Sequence, residues 1–293
     1  MRKVTDYAAH WATLVSPLSE SIACATRSIA FFHLPKTGGT STKHGITSAP
    51  DWNFVALPPA VTPEYGVPSL LRPRIRRQTA ARKSPTSLGI GLPHETYDAI
   101  RWLDSVLQER GSSFDLTVML VRPVRLRIAS AFADYWTQVA RARAHADGTN
   151  KLDEHWASIT QRYLADSRHY RKGTGPIDGR SWFRSFAVHG PGIPFFLSDV
   201  FAEGPGSMLE EVQSGRLRII PTSSIDQFVQ ELTGRAPTQR RRVSSAASDP
   251  AVLAALAESA AEIDLLAARD AAFDNVLADL LDDDSFLPRA VIR

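Results

Sequence analysis

The sequence predicts a three-layer α/β fold with a mainly parallel central sheet flanked by helices. Short apolar runs of strand length alternate with longer stretches whose apolar residues recur at helical spacing. The clearest runs are 28–34 and 115–121, and each passes directly into a helical stretch. Strands that alternate with helices in this way are typical of a parallel sheet, so the pattern indicates an α/β fold.

The first third of the chain is predicted to hold a helical lead-in, one buried strand and a helix. Residues 5–24 are partly helical in pattern, 28–34 form an apolar run that stops at a proline, and 36–46 open with Thr and Gly before continuing as a helix. Residues 47–90 are predicted to be an irregular insertion, since they hold seven prolines. Its basic run is typical of a solvated loop, or of a flap that attracts an anion, and consists of Arg72, Arg74, Arg76, Arg77, Arg82 and Lys83.

The remaining elements alternate in type. Asp249 is a suitable N-cap for the last helix, with Pro250 at its first position, and Gly234 suits a helix end. The predicted helices cover 94–110, 125–146, 151–170, 224–232 and 249–281, the predicted strands cover 115–121, 194–197 and 217–220, and 173–179 is a turn-rich break.

The length and composition allow one large globular domain or two small ones, and we predict a single domain spanning 1–293. The chain is 43% hydrophobic, and its net charge of +3 fits an anionic ligand but is too small to indicate nucleic acid. One cysteine, Cys24, excludes a disulfide within the chain. We expect a cytoplasmic protein with no signal peptide and no membrane span, and the heavy use of Ala, Arg and Asp suggests a bacterial source. The oligomeric state is left open.

The loop that follows the first strand has the composition of an anion-binding site. Gly38 and Gly39 allow a backbone whose N–H groups point inward, and the following helix adds free N–H groups. Lys36 supplies a mobile charge. The hydroxyls of Thr37, Thr40 and Ser41 supply further donors. The lysine precedes the glycines, unlike the Gly-x-x-x-x-Gly-Lys-Ser/Thr loop of nucleotide triphosphatases, so the sequence argues against ATP.

The segment Phe32-His33-Leu34-Pro35-Lys36-Thr37-Gly38-Gly39-Thr40-Ser41 resembles the 5′-phosphosulfate loop of carbohydrate-type sulfotransferases, whose usual form is F-x-H-I-P-K-T-G-G-T-S. The resemblance implies a P-loop-like fold. It also implies the co-substrate 3′-phosphoadenosine 5′-phosphosulfate, with donor contacts along the loop from Pro35 and Lys36 through Thr37, Gly38, Gly39, Thr40 and Ser41.

A second segment resembles the same family. Its usual form is R-D-P-V-x-R-x-x-S-A-F/Y, and residues 122–132 align with it without a gap. The resemblance implies that Arg122 and Ser130 hold the donor's 3′-phosphate, a role that suits guanidinium and hydroxyl donors, and that Arg127 is a further donor-binding residue. The family's Asp-Pro-Val is replaced by Pro-Val-Arg, which changes the turn out of the strand.

Two basic segments are candidates for a late loop over the nucleotide. Residues 171–175 are similar to the Arg-Lys-Gly segment of cytosolic sulfotransferases but lie in mid-chain, where a turn is the simpler interpretation. Residues 240–245 lie nearer the position expected for such a loop, and Arg242 is the candidate contact there.

The implied chemistry is in-line transfer of a sulfuryl group to a hydroxyl, or less readily to an amine, with positioning and charge stabilisation as the main sources of rate. Lys36 would steady the bridging oxygen, and no metal is expected. A histidine suits the general base, and His94 occupies the place where related enzymes carry one, with Glu95 as the second candidate and His33 assigned to bracing the loop.

The acceptor is not encoded in these motifs. The family resemblance favours a carbohydrate or glycoconjugate, and a lipid, a peptide tyrosine or a small secondary metabolite stays open. Two other functions are also open at this point. One is a kinase or ATPase with a degenerate loop, and the other is a non-catalytic protein that binds the donor.

Overall fold

The computed structural model of the protein describes residues 4–57, 87–93, 95–134, 194–235, 250–283 and 286. Its core is a sheet of five strands in the order β2-β3-β1-β4-β5, and every neighbouring pair is parallel. The predicted α/β fold with a parallel sheet flanked by helices is therefore confirmed. The strands are β1 (Ser28–His33), β2 (Trp52–Ala56), β3 (Ser87–Pro93), β4 (Leu116–Val121) and β5 (Leu217–Pro221).

Helices connect and cover the strands. The helix α4 begins at residue 124, and its described part is 124–134. Short 3-10 turns lie at Thr222–Ser224 and Ala268–Asp270. The other helices are α1 (Val4–Ala23), α2 (Gly39–Thr47), α3 (Tyr97–Gln108), α5 (Leu197–Val200), α6 (Pro205–Gln213), α7 (Ile225–Thr233), α8 (Pro250–Glu258), α9 (Ala260–Ala267) and α10 (Ala271–Leu281).

The chain divides into two compact units. The first contains 1–124, 191–242 and 269–293 and holds the whole sheet. The second contains 125–190 and 243–268, to which α8 and α9 belong. The prediction of one domain spanning the chain stays a prediction.

In the first unit, β1 lies at the centre of the sheet and separates two apolar layers. Because side chains alternate along a strand, Ile29 and Phe31 face one layer while Ala30 and Phe32 face the other. The first layer is closed by α2 and α7 through Ile46, Phe228 and Val229, and the second by α1, α3, α6 and α10 through Trp11, Leu14, Ile100, Leu103, Met208 and Leu277.

The segment 47–90 is less irregular than predicted, because β2 and the start of β3 lie within it. The glycines of β3 explain why the sequence pattern did not predict this strand, since glycine is disfavoured in strands. A Cβ on Gly89 or Gly91 would lie 2.8 Å from the ring of Phe54 on β2, so both glycines make room for that ring. The basic run of residues 72–83 lies outside the described residues.

The predicted strand at 194–197 is wrong, since this segment ends in the helix α5. Two carboxylates divert its backbone. Asp199 Oδ2 accepts the N–H groups of Phe195 and Phe196 at 3.2 and 3.0 Å. Asp270, with no exposed surface, accepts those of Leu197 and Ser198 at 2.7 and 3.0 Å. These N–H groups therefore donate to side chains and not to a neighbouring strand.

The single helix predicted over 249–281 is also wrong, because three helices and a 3-10 turn occupy the span. The breaks fall at Ser259 and at Asp270, both of which have φ near −105° and small positive ψ. Both residues are fully buried. The apolar periodicity continues through the breaks, which is why the sequence pattern did not reveal them. The proposed cap, Asp249, lies outside the described residues.

Most other predicted elements are confirmed within one to three residues. These are the lead-in helix, the strands at 28–34, 115–121 and 217–220, and the helices at 36–46, 94–110 and 224–232. Gly234 ends α7 with φ of 68°, as its type predicts. The start of the helix predicted at 125–146 is confirmed by α4, while 135–146, 151–170 and 173–179 lie outside the described residues.

A buried carboxylate network joins α3 to α6. The Tyr97 hydroxyl donates to Glu211 Oε2 at 2.9 Å, and Arg216 donates to both oxygens of the same carboxylate at 2.7 and 3.0 Å. The bonds from Arg216 are the main cause that lowers the pKa of Glu211, and burial is the main cause that raises the pKa of Tyr97.

We expect Glu211→Gln to lower the free energy of unfolding at neutral pH by about 2 kcal/mol, since it removes charge-assisted bonds from a buried group. The pKa of Glu211 in the folded protein lies below its unfolded value of about 4.3. The stability that the carboxylate contributes is therefore fully present above the unfolded pKa and is lost as the pH falls through the folded pKa. Urea unfolding of both proteins between pH 3 and 7 measures the difference. Glu210→Gln on the same helix, at an exposed position, is the matched control; a pH-independent difference for Glu211→Gln would contradict the assignment.

Candidate anion-binding site

The order of the strands defines where a ligand site is expected in the first unit. The chain leaves β1 through α2 toward β2, whereas it leaves β3 through α3 toward β4 on the other side of β1. The loops that follow the adjacent strands β1 and β3 therefore depart to opposite faces of the sheet. In open parallel sheets, ligands bind outside the carboxyl ends of the strands at such a point. Residues 34–38 lie at this edge.

The loop between β1 and α2 has an alternating backbone. Lys36 has φ of 66° and Gly38 has φ of 89°, and Thr37 between them does not share this left-handed conformation. A left-handed backbone is ordinary for glycine but costs a lysine about 1 kcal/mol. Alternation of this kind turns successive N–H groups toward one concavity, which is the geometry of backbone anion sites.

The start of α2 adds to the same concavity. Gly38 is the N-cap of this helix of nine residues, and its carbonyl accepts the N–H groups of Ser41 and Thr42 at 3.0 and 3.1 Å. The N–H groups ahead of these have no acceptor within the helix, and the helix dipole places partial positive charge there. Thr40 is exposed and Ser41 is half-buried, so their hydroxyls lie near the surface.

Thr37 has a different role from the other hydroxyl residues of the loop. It is fully buried, and its Oγ1 donates to the carbonyl of Leu34 at 2.8 Å. This bond closes the loop on itself, so a contribution of Thr37 to anion binding would come through its backbone N–H.

Close packing explains why glycine is needed at two positions. A Cβ on Gly38 would lie 2.5 Å from Cδ1 of Ile225, at the start of α7. A Cβ on Gly39 would lie 2.5 and 2.6 Å from Cε1 and Cδ2 of His33, at the end of β1. Neither approach is possible for a real side chain without displacement, so the loop is held between α7 and the imidazole ring.

Arg122 follows β4 and lies beside the loop. Its Nη1 is 3.5 Å from the carbonyl oxygen of Lys36, and its side chain is half-buried. The structure therefore places the first residue of the second motif next to the backbone of the lysine of the first motif, and the predicted donor contacts of both residues stay predictions. The Arg122 guanidinium and the backbone of Lys36 both lie at this edge of the sheet.

The other residues of the second motif lie on α4, in the second unit. Arg127 has no exposed surface, which is typical of an arginine whose charge is satisfied inside the protein, and Ser130 is half-buried. Arg125 forms an ion pair with Asp264 of α9 within the same unit. The predicted donor contacts of Arg127 and Ser130 stay predictions.

Of the two candidate general bases, Glu95 lies within the described residues and His94 does not. Glu95 lies two residues after the end of β3, at the same edge as the loop, and has no exposed surface. Thr96, the next residue, caps α3 by accepting the N–H of Ala99 at 3.4 Å. His94 and Arg242 lie outside the described residues.

Two residues after β5 belong to the site and were missed by the sequence reasoning. The Thr222 hydroxyl donates to the carbonyl of Val121 at 2.8 Å, which joins the ends of β5 and β4. Ile225 covers Gly38. Their position was the available signal: Thr222 lies two residues after the predicted strand 217–220, and the carboxyl ends of parallel strands share one edge.

Within the described residues, no group of three or more His, Cys, Asp or Glu side chains is placed to hold a metal ion. None of the described helices combines the length and the apolar character that crossing a membrane requires. Comparison with known proteins found no matching family model, no matching curated protein and no matching solved structure.

Proposed function

We propose that the protein is a sulfotransferase that moves a sulfuryl group from 3′-phosphoadenosine 5′-phosphosulfate to an acceptor hydroxyl. The observation that carries the proposal is the left-handed Lys36, two residues before the N-cap Gly38, on the loop at the carboxyl end of the central strand. A lysine in a costly backbone conformation, beside inward N–H groups, suits a site that needs its charge in one place.

In this proposal the loop holds the 5′-phosphosulfate. The N–H groups at the start of α2 bind the phosphate, and the Lys36 ammonium stabilises the bridging oxygen as it gains charge. Arg122 lies within reach of the same edge and suits a second phosphate, in keeping with the 3′-phosphate that distinguishes this donor.

The reaction would proceed by in-line displacement. The acceptor oxygen forms a bond to sulfur while the bond from sulfur to the bridging phosphate oxygen breaks, and 3′,5′-bisphosphoadenosine leaves with the electron pair. The acceptor's proton passes to a general base, for which His94 and Glu95 are the candidates. A carbohydrate or glycoconjugate is the proposed acceptor, and the cytoplasm is the proposed compartment.

We expect 3′,5′-bisphosphoadenosine at about 100 times its Kd to stabilise the protein by about 2.7 kcal/mol, visible as a rise in Tm of several degrees. ATP with Mg²⁺ is expected to give no comparable rise, because the lysine of this loop precedes its glycines. Adenosine 5′-phosphosulfate, which lacks the 3′-phosphate, is expected to bind more weakly than the bisphosphate.

Differential scanning fluorimetry on the full chain measures all three ligands. Arg122→Ala should remove most of the preference for the 3′-phosphate, whereas Arg218→Ala, at an exposed position on β5, should not. Stabilisation by ATP with Mg²⁺ and none by the bisphosphate would overturn the donor assignment and favour a kinase or ATPase.

A further inference from the structure

The imidazole of His33, which the sequence analysis assigns to bracing the loop, has no chemical step in the proposed transfer reaction. His33 is the last residue of β1 and is half-buried. Its ring lies against Gly39, where a Cβ would meet Cε1 at 2.5 Å and Cδ2 at 2.6 Å, and Nε2 is also in contact. The ring therefore fills the space directly beside the first residue of α2, at the end of the helix that carries the free N–H groups.

We propose that His33 is a positioning residue of the anion-binding loop and that its protonated ring is a further cationic group of that site beside Lys36. The inference rests on the proposed function in one respect, namely that the loop binds an anion. As a positioning residue, the ring fixes how far α2 can approach the end of β1, and so where the N–H groups of Gly39 and Thr40 point.

The charge argument follows from the location. Histidine is the side chain that changes charge between pH 5 and 8. A positive charge beside a helix N-terminus opposes the dipole when the site is empty, but it attracts a dianion that fills the site. Occupation of the loop by a doubly charged anion should therefore favour the protonated ring, and acidification should favour occupation.

Other charged groups lie on the loop and on the elements next to it, and their effect on sulfate binding must be separated from that of His33. The lysines and Arg122 stay charged across this pH range, so they contribute a constant attraction. His44 of α2 also carries an imidazole, so its contribution is separated from that of His33 by substitution. The charged and titratable groups on these elements are Lys36 of the loop, Lys43 and His44 of α2, Arg122 after β4, Glu95 after β3, and Asp226 and Glu231 of α7.

The test uses inorganic sulfate as the probe, because sulfate keeps the same charge over the whole range whereas a phosphate ester does not. Sulfate affinity of the full chain is measured by ligand-dependent thermal shift at pH 5.5 and pH 8. For the wild type we expect about tenfold tighter binding at the lower pH, the effect of one added positive charge near a dianion in a solvent-accessible site. His33→Phe keeps a flat ring without the charge and is expected to show less than about twofold dependence.

If His33→Phe fails to fold, His33→Gln serves as the second uncharged variant, since glutamine is polar and similar in length to histidine. It should also lose the pH dependence. His44→Gln is the control, since it removes a different imidazole, in the last turn of α2, and should leave the tenfold dependence intact.

The positioning role is tested separately through Gly39→Ala, which should weaken sulfate binding at both pH values because its Cβ collides with the ring. His33→Ala in the same chain should restore the loss in part. A wild type that binds sulfate equally at both pH values would overturn the charge inference and leave the proposed function standing. A wild type that binds neither sulfate nor 3′,5′-bisphosphoadenosine would overturn the charge inference and the proposed function together.

Discussion

Lys36→Met is expected to lower the rate of sulfuryl transfer by about 100- to 1000-fold, the usual effect of removing a preorganised group that stabilises developing charge. Methionine keeps the length of the side chain and removes only the ammonium. The loop N–H groups remain in place, so donor binding should weaken less than the rate falls.

A second variant at the same position separates charge from backbone strain. Lys36→Gly should lower the transfer rate by the same factor as Lys36→Met. It should also raise the free energy of unfolding by about 1 kcal/mol, because glycine adopts φ of 66° without the cost that lysine bears. A stability gain coupled to a loss of activity is the signature of a residue retained for function.

Transfer from labelled donor to acceptors in a cell extract, together with chemical denaturation, measures both effects. Lys43→Met, at an exposed position on α2, is the matched control and should change neither. His94→Ala provides a contrast, since loss of a base should abolish transfer without weakening donor binding. Full transfer by Lys36→Met would remove this lysine from the mechanism.

Asp270→Ala is expected to lower the free energy of unfolding by about 3 kcal/mol, the largest stability effect we expect from one substitution. Each carboxylate oxygen accepts one backbone N–H, from Leu197 at 2.7 Å and from Ser198 at 3.0 Å, and the side chain has no exposed surface. Removing the acceptor leaves N–H groups without partners inside the protein, which costs more than the bonds themselves contribute.

Asp270→Asn should recover little of this loss, because an amide offers only one accepting oxygen and would turn an NH₂ group toward the other N–H. Urea unfolding monitored by circular dichroism gives the values. Asp279→Ala, exposed on α10, should change stability by less than about 0.5 kcal/mol. Wild-type stability in Asp270→Ala would show that water replaces the carboxylate.

The elements that the sequence predicts best are those whose local pattern and tertiary role agree. The runs at 28–33 and 116–121 are apolar on both faces, as a strand covered by two helical layers requires. The loop from Lys36 to Ser41 was recognisable because its glycines, hydroxyls and lysine occur in a short contiguous segment. Its left-handed lysine was not predictable, since composition does not report which residue bears the strain.

The misassigned elements depend on partners distant in sequence. The glycines of β3 suit a strand only because Phe54 lies opposite them, and the segment after Pro194 bends in part because Asp270 accepts the N–H groups of Leu197 and Ser198 from 73 and 72 residues away. The role of Ile225 in the site arises from its contact with Gly38, far earlier in the chain. No window of local sequence contains these pairs.

The central place of β1 has a consequence for how the site comes into being. Ser28 pairs with Leu88 on one side and Ile29 with Leu116 on the other, so the strand that carries the loop finds both partners only after long stretches of chain have been gathered. Such non-local pairing is slow, because loop-closure entropy is lost before contacts form. We therefore expect anion affinity to appear late in refolding. Amide hydrogens of β1 should be among the slowest to exchange with solvent, so the loop stays anchored when the edge strands open.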